Sequence, residues 1–247
     1  MNSLLYYYNN VQKMAAYQQA KRMQRGALTA QGGFSTTDPA LRQGECTIQC
    51  ILIADKIAQT NSSIFSLSTA TSCLRLSYNS NILEFAVSIV IKRQEIELNK
   101  VYNVVFSLGS INTSVYINSS LLFTAPTPDS SIRVLYQIGY LNTLRFDSIY
   151  LAHRHFNYAL SADEIATLYN NGDPMGYVVP KAKRDGLLAE YLPQNLMYGR
   201  DDKTIATSWL DSAKQLPLSD EYMEPLFQSI GGYDMAANGA PEILYNE

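Results

Sequence analysis

From residue 45 to 156 apolar and polar positions alternate with a period of two, the spacing that sends successive side chains to opposite faces of a sheet. The alternation predicts strands over 47–53, 63–68, 74–78, 83–91, 101–108, 114–123, 132–138 and 146–156. Asn, Ser, Gly or Pro clusters separate them at intervals of roughly 8–15 residues, the rhythm of an antiparallel sandwich. Pro126 and Pro128 interrupt the ladder ahead of the strand at 132–138, because proline has no N–H to donate.

The period changes on either side of this block. Over 3–25, Leu4, Tyr8, Val11 and Ala15 recur at helical spacing, with Tyr7 and Met14 widening the stripe. Lys21, Arg22 and Arg25 fall in the last turns, where cations suit the helix dipole, and Gly26 is placed to stop it. Residues 1–26 are therefore expected to form a helical arm, and the Gly-, Ala- and Thr-rich residues 27–44 a linker. A helix this short needs a surface to pack on. After the strands, FNYALSADEIATLYNNGDP predicts one short helix. Ser161 is its N-cap, and Glu164, three residues on, completes a capping box. Ile165 and Leu168 give it an inward face, and Asn170, Asn171, Gly172 and Pro174 end it. The body thus spans 45–175. In 176–247 periodicity fades, so that region is expected to be an extended tail held by anchors such as Trp209, Leu210, Leu226 and Phe227.

Composition supports a packed β domain. Apolar residues make up 47% and charged ones 17%, enough core material to exclude general disorder. Eighteen tyrosines suit strand faces and contact surfaces. The net charge of −3 is uneven: residues 1–37 hold Lys13, Lys21, Arg22 and Arg25 with no acid, while 181–247 are acidic. Four bases are too few to favour nucleic acid as a partner. Cys46, Cys50 and Cys73 form no tight CxxC pair, which argues against a disulfide framework and a zinc site. On a strand the first two would stand about 13 Å apart, too far to bridge. No run of about 18 apolar residues suggests a membrane span. The first residues lack the order of a secretory signal.

Candidate chemistry is sparse. Glu95 and Glu97 would share a strand face, the placement used by glycosidases with paired carboxylates, but KRQEIELNK reads as a solvated strand end. His153 and His155 also share a face; with no third ligand at metal spacing, they read as core or interface histidines. Asn61, Asn112 and Asn118 lie in glycosylation sequons, which matter only on a secretory route. Trp209, the single tryptophan, reads as an apolar anchor for the tail. No nucleophile elbow, P-loop or dinucleotide fingerprint occurs.

Residues 45–172 resemble the laminin-G-like and concanavalin A-like lectin/glucanase superfamily. IFSL, LRLSYNSNILEF, VYNVVFSL, TSVYINSSLLF, YQIGYL and FNYALSADEIATLYNNG carry the likeness in order, the last resembling the family's closing strand and short helix. Residues 188–218 resemble the opening of a further such unit. Similar segments occur in virion proteins of tailed phages of gut Bacteroidetes, including crAss-like phages. The chain departs from the superfamily where a tryptophan usually precedes the VYNVVF strand and a glycine occupies the turn read here as Asn118–Ser119. A turn without glycine is costly at positive φ, so this one is expected to be reshaped.

The resemblance implies a mainly β, antiparallel jelly-roll sandwich with a helical arm, one capped helix and an irregular extension. It implies a non-catalytic virion component, a head fibre, tail fibre or capsid-decoration subunit, made in the host cytoplasm and needing no cofactor. Its partners would be capsid, portal or tail proteins and copies of itself, as a dimer or trimer. Leu4, Tyr8, Val11, Arg22, Trp209 and Phe227 are the expected docking residues. The alternative is a module that binds host surface glycans, and a glycoside hydrolase stands third.

Overall fold

The structure is a computed structural model. It describes residues 24–28, 32–36, 39–41, 44–54, 57–67, 74–129, 136–141, 144–145, 149–192, 196–198, 206–209, 211, 213, 235–239 and 242–245. Strands β1 (Gln24–Leu28), β2 (Gly32–Thr36) and β3 (Cys46–Ile53) come first. A meander follows: β4 (Ala58–Leu67), β5 (Leu74–Ser80), β6 (Ile82–Val87) and β7 (Val90–Glu95). A second comprises β8 (Val101–Leu108), β9 (Asn112–Ile117) and β10 (Ser120–Pro126). Next are β11 (Tyr136–Ile138), the small β12 (Tyr140–Leu141) and β13 (Leu144–Arg145) hairpin, and β14 (Ile149–Phe156). Helix α1 (Ala162–Tyr169) precedes β15 (Leu187–Tyr191), β16 (Leu196–Tyr198) and β17 (Ala206–Trp209). Strands β18 (Met235–Gly239) and β19 (Glu242–Tyr245) come last.

Among the described residues these strands, apart from the β12–β13 pair, build two antiparallel sheets, the sandwich expected of a jelly roll. Sheet one runs β10-β9-β8-β3-β14-β1-β19, and sheet two runs β16-β17-β18-β2-β11-β4-β5-β6-β7. In sheet one, β1 pairs with the first residues of β14 and β15 with its last four, so two distant segments share one neighbour. The period of two sends Ile48, Cys50, Leu52, Val104 and Phe106 of sheet one against Phe34, Phe65, Leu76, Phe85 and Ile138 of sheet two. Phe106 bridges the layers, its ring centroid 6.2 Å from Phe65 and 6.3 Å from Phe85.

The opposite face of sheet one is buried as well. Val105 and Phe156 pack there with Leu160, Ile165 and Leu168 of the α1 region and with Val179 and Leu187. Burying Ile165 and Leu168 contributes about 1.5–3 kcal/mol each, which holds a helix of two turns on the sheet.

Several sequence expectations change. Gln24–Leu28 is a strand, so the last residues of the expected 3–25 helix begin β1 instead, Gln24 pairing with Tyr245 of β19; Leu4, Tyr8, Val11 and Arg22 lie outside the described residues. The expected linker holds β2, whose Phe34 is fully buried in the core; pairing on both sides outweighs the weak strand propensity of its glycines. The strand expected at 83–91 is a hairpin that turns at Ser88, which adopts φ +54. The strand expected at 114–123 is likewise β9 and β10. Its turn is not reshaped: Asn118 and Ser119 both keep positive φ, 48° and 66°, the signature of a type I′ hairpin. Strands β15 to β19 are part of the sheets, so the described part of 176–247 is not a separate irregular extension.

Candidate functional site

The capping box forms as the spacing of Ser161 and Glu164 requires. The Glu164 N–H donates to Ser161 Oγ at 3.4 Å, and the Ser161 N–H donates to Glu164 Oε2 at 3.0 Å. That backbone N–H, with the Ser161 hydroxyl and Lys183, holds the Glu164 carboxyl below the usual carboxylate range. Asn170 closes the helix in the left-handed region, φ 49° and ψ 50°. These residues position α1 over sheet one; their role is structural.

His153 and His155 share a face of β14, and it is the face turned into the core. Both are fully buried. The Tyr136 hydroxyl lies between them, hydrogen-bonded to His153 Nε2 and 3.1 Å from His155 Nδ1. His153 Nδ1 faces the Tyr150 hydroxyl at 2.8 Å and Cys50 Sγ at 3.6 Å. Burial holds the His153 imidazole well below its ordinary value, with His155 a second cause. Burial also pushes the Tyr136 and Tyr150 hydroxyls up, and the Cys50 thiol up to about 12. Buried, mutually hydrogen-bonded groups of this kind order a core. Among the described residues no group of three His, Cys, Asp or Glu is arranged to hold a metal ion.

Between the histidines, Arg154 points the other way and is 1% exposed. Its Nε donates to Glu190 Oε1 at 2.9 Å, Nη1 to Gln49 Oε1 at 3.0 Å, and Nη2 to the Tyr177 carbonyl at 2.9 Å. Gln49 Nε2 donates in turn to Asn103 Oδ1 at 2.7 Å. Asp211 Oδ1 accepts from the Glu190 and Ala213 N–H groups, at 2.8 Å each. This cluster ties Tyr177, β15 and, through Asp211, Ala213 to β14 and β3 of sheet one. It was missed in the sequence because Glu190 lies 36 residues from Arg154, and strand alternation does not reveal such a partner.

Glu95 and Glu97 have separate partners. Glu95, at the end of β7, accepts from Asn81 Nδ2 at 2.6 Å. Glu97 lies beyond the strand, 72% exposed, in an ion pair with Lys100 at 2.6 Å. Trp209 ends β17, in register with Leu196 and Met235; Phe227 and Cys73 lie outside the described residues.

The outer face of sheet two carries two rows of polar residues. Register places Ser35, Gln137, Ser66 and Arg75 in one row across β2, β11, β4 and β5. The adjacent row holds Ser63, Ser77, Glu84 and Arg93 across β4, β5, β6 and β7. Their chain neighbours Phe34, Ile138, Leu76 and Phe85 point into the core, so both rows face away from it. Ser66 Oγ donates to Gln137 Oε1 at 3.2 Å, and Glu84 is held between Arg75 and Arg93, at 2.9 Å from each. Ser63, Ser66, Ser77 and Gln137 are buried, yet among the described residues Ser63 Oγ, Ser77 Oγ and Arg75 Nε have no hydrogen-bond partner. The signal in the sequence was serine at alternate positions in SSIFSL and LRLSYNS, which reads as ordinary polar alternation until the strands are paired.

With both sheets in place, the likeness to solved structures can be read. A candidate carbohydrate-binding protein from Bacteroides ovatus superposes with a TM-score of 0.60 over 92% of this chain, at 14% identity. The fold is a lectin-like β-sandwich. The chain spans 62% of that protein's length. Trypanosoma rangeli sialidase in complex with sialic acid matches at TM-score 0.46 and 18% identity, over 60% of this chain and 28% of the sialidase. Domain 4 of AbnA, a GH43 extracellular arabinanase from Geobacillus stearothermophilus in complex with arabinotriose, matches at TM-score 0.44 and 15% identity, over 56% of this chain and 72% of that domain. No protein-family model and no curated protein sequence matches the chain.

Proposed function

We propose that the chain is a non-catalytic carbohydrate-binding module that lays a glycan across the outer face of sheet two. The observation that carries this reading is the pair of polar rows on that face. In these rows Arg75, Glu84 and Arg93, with side chains 29%, 13% and 68% exposed, offer guanidinium donors and a carboxylate acceptor at strand spacing, as a polyhydroxylated ligand requires. Carbohydrate binding is also what the name of the Bacteroides ovatus protein describes, and the proposal carries it to this chain. The reading as non-catalytic follows from Glu95 and Glu97, which are engaged separately by Asn81 and Lys100 instead of facing a common bond.

The virion setting implied by the phage-like segments belongs to the same proposal, with the module serving adhesion. A purely scaffolding role rested on flanks without a core of their own; the described parts of those flanks, β1 and β15 to β19, lie within the sheets and lend it no support. A dimer or trimer would then multiply weak sites through avidity.

The test is a glycan array probed with and without Ca²⁺, followed by titration of the best ligand against the Gln137→Ala variant. Saturable binding weakened by Gln137→Ala is the expected result. A blank array under both conditions refutes the proposal.

A further inference from the structure

A polar network crosses the core from one sheet to the other. His153, on β14 of sheet one, turns Nε2 to the hydroxyl of Tyr136, on β11 of sheet two, and Nδ1 to the Tyr150 hydroxyl at 2.8 Å. The same Tyr136 hydroxyl stands 3.1 Å from His155 Nδ1, so it ties both histidines of β14 to β11. His153 is 0% exposed, and the rings of Phe65, Tyr136, Tyr150 and Tyr191 surround its imidazole with centroids 5.5 to 6.0 Å away.

A neutral imidazole fits this setting, with one N–H to donate and one lone pair to accept. An imidazolium donates from both nitrogens, and the Tyr136 and Tyr150 oxygens can take both protons. Its charge, however, meets nothing of opposite sign. Among the described residues the titratable groups facing the ring are Cys50 of β3, Tyr136 of β11, Tyr150 and His155 of β14, and Tyr191 of β15, while β4 contributes Phe65. None of these is a carboxylate. Burial pushes the Cys50 thiol up to about 12 and the Tyr136 and Tyr150 hydroxyls up as well, so they stay uncharged. A lone charge this deep is escaped in two ways, by staying neutral or by reaching water.

We propose that this network is an acid-sensitive latch: a proton from solvent on His153 breaks the tie between β14 and β11, and β11 opens while the rest of the sandwich holds. Of the two strands β11 is the one that yields. It is three residues long, Tyr136–Ile138, whereas β14 has eight and pairs along its length with β3. The direction of the effect is set by burial, which holds His153 unprotonated when closed; once open it takes a proton near its ordinary value of about 6.5. The latch is therefore fully shut above that pH and loosens about tenfold per pH unit below it. It does not depend on what the outer face binds.

Hydrogen exchange of the full chain tests the latch, followed amide by amide from about pH 7.5 to about pH 5 and corrected for the intrinsic rate. Opening constants of the β11 amides should be level above about pH 6.5 and rise about tenfold per unit below it, while those of β6 and β7 stay level. His153→Gln keeps a hydrogen-bonding side chain that takes no proton, and it should flatten the rise. The chain has two histidines, so the ring spectrum of the unaltered protein gives a second measurement that needs no variant. There, a ring signal should keep its neutral position below about pH 6.5 and change in step with the opening of β11. Two signals that both titrate smoothly through about pH 6.5 in the closed protein overturn the proposal. So does a rise of equal size in β6 and β7, which is general acid unfolding. A rise that survives in His153→Gln, or β11 constants that do not change with pH, overturns it too.

Discussion

Replacing Arg154 with methionine should destabilise the fold by about 3–5 kcal/mol, the range for removing one partner of a buried ion pair. Arg154 and Glu190 are 1% and 3% exposed. Without the guanidinium, the nearest remaining cation to Glu190 is Arg184, whose Nη2 stands 3.6 Å from Oε2, beyond good hydrogen-bond distance. Gln49 Oε1 and the Tyr177 carbonyl each lose a donor as well. A buried acceptor without a donor costs about 1–3 kcal/mol, so the neutral losses alone approach the lower bound. Urea unfolding followed by intrinsic fluorescence measures the loss, and an unchanged m-value shows that the same surface is exposed. The double variant Arg154→Met with Glu190→Leu discards the stranded charge and should recover about 1–4 kcal/mol of it. A single-variant loss below about 1 kcal/mol, the size of an exposed pair, would refute the reasoning.

Two further predictions concern stability. Burial keeps His153 unprotonated in the fold, whereas the unfolded chain takes a proton near pH 6.5, so this contribution is complete above about pH 6.5 and is lost as pH falls, by about 1.4 kcal/mol per unit. Urea midpoints measured from about pH 7.5 down to about pH 5 should therefore decline, and less steeply in His153→Gln; identical slopes in both proteins would sink the assignment. Ser119→Gly removes a side chain from φ +66° in the β9–β10 turn and should stabilise by about 0.5–1 kcal/mol, read as a higher thermal midpoint. A lower midpoint would show that this turn does not need the left-handed conformation.

What could be read in the sequence was what depends on near neighbours. The alternation around Ile48, Phe106 and Phe65 marks an inward face from the residues themselves, and Ser161 with Glu164 writes a helix start within four positions. Ser88 shows where this fails. The run FAVSIVIK has no glycine, asparagine or proline to signal a break, and its turn exists because β6 and β7 gain six register pairs by folding back. Likewise, nothing in QRGAL announces a strand; it becomes one because the edge of β14 is open to it. The polar rows were invisible for a related reason. Ser63, Ser77, Glu84 and Arg93 come from four strands, and only pairing makes them a surface.

The outer faces of the two sheets are built from different groups. Sheet one spends both faces on stability: its inner side chains meet sheet two, and its outer ones meet α1, Leu160, Val179 and the Arg154 cluster. Its polar outer residues Thr47, Gln49 and Ser107 are matched within the chain, to Tyr158, Asn103 and Leu160 respectively. Among the described residues Ser63, Ser77 and Arg75 of sheet two retain unpaired polar atoms, as Asn103 Nδ2 of sheet one does, although the two serines are as buried as core residues. A fold that needed only stability would do better with alanine or valine at Ser63 and Ser77, because a buried hydroxyl without a partner costs about 1–3 kcal/mol. Ser63→Ala with Ser77→Ala should therefore leave the fold as stable or make it more so. A loss beyond about 1 kcal/mol in urea unfolding would show that these hydroxyls are matched in the folded chain.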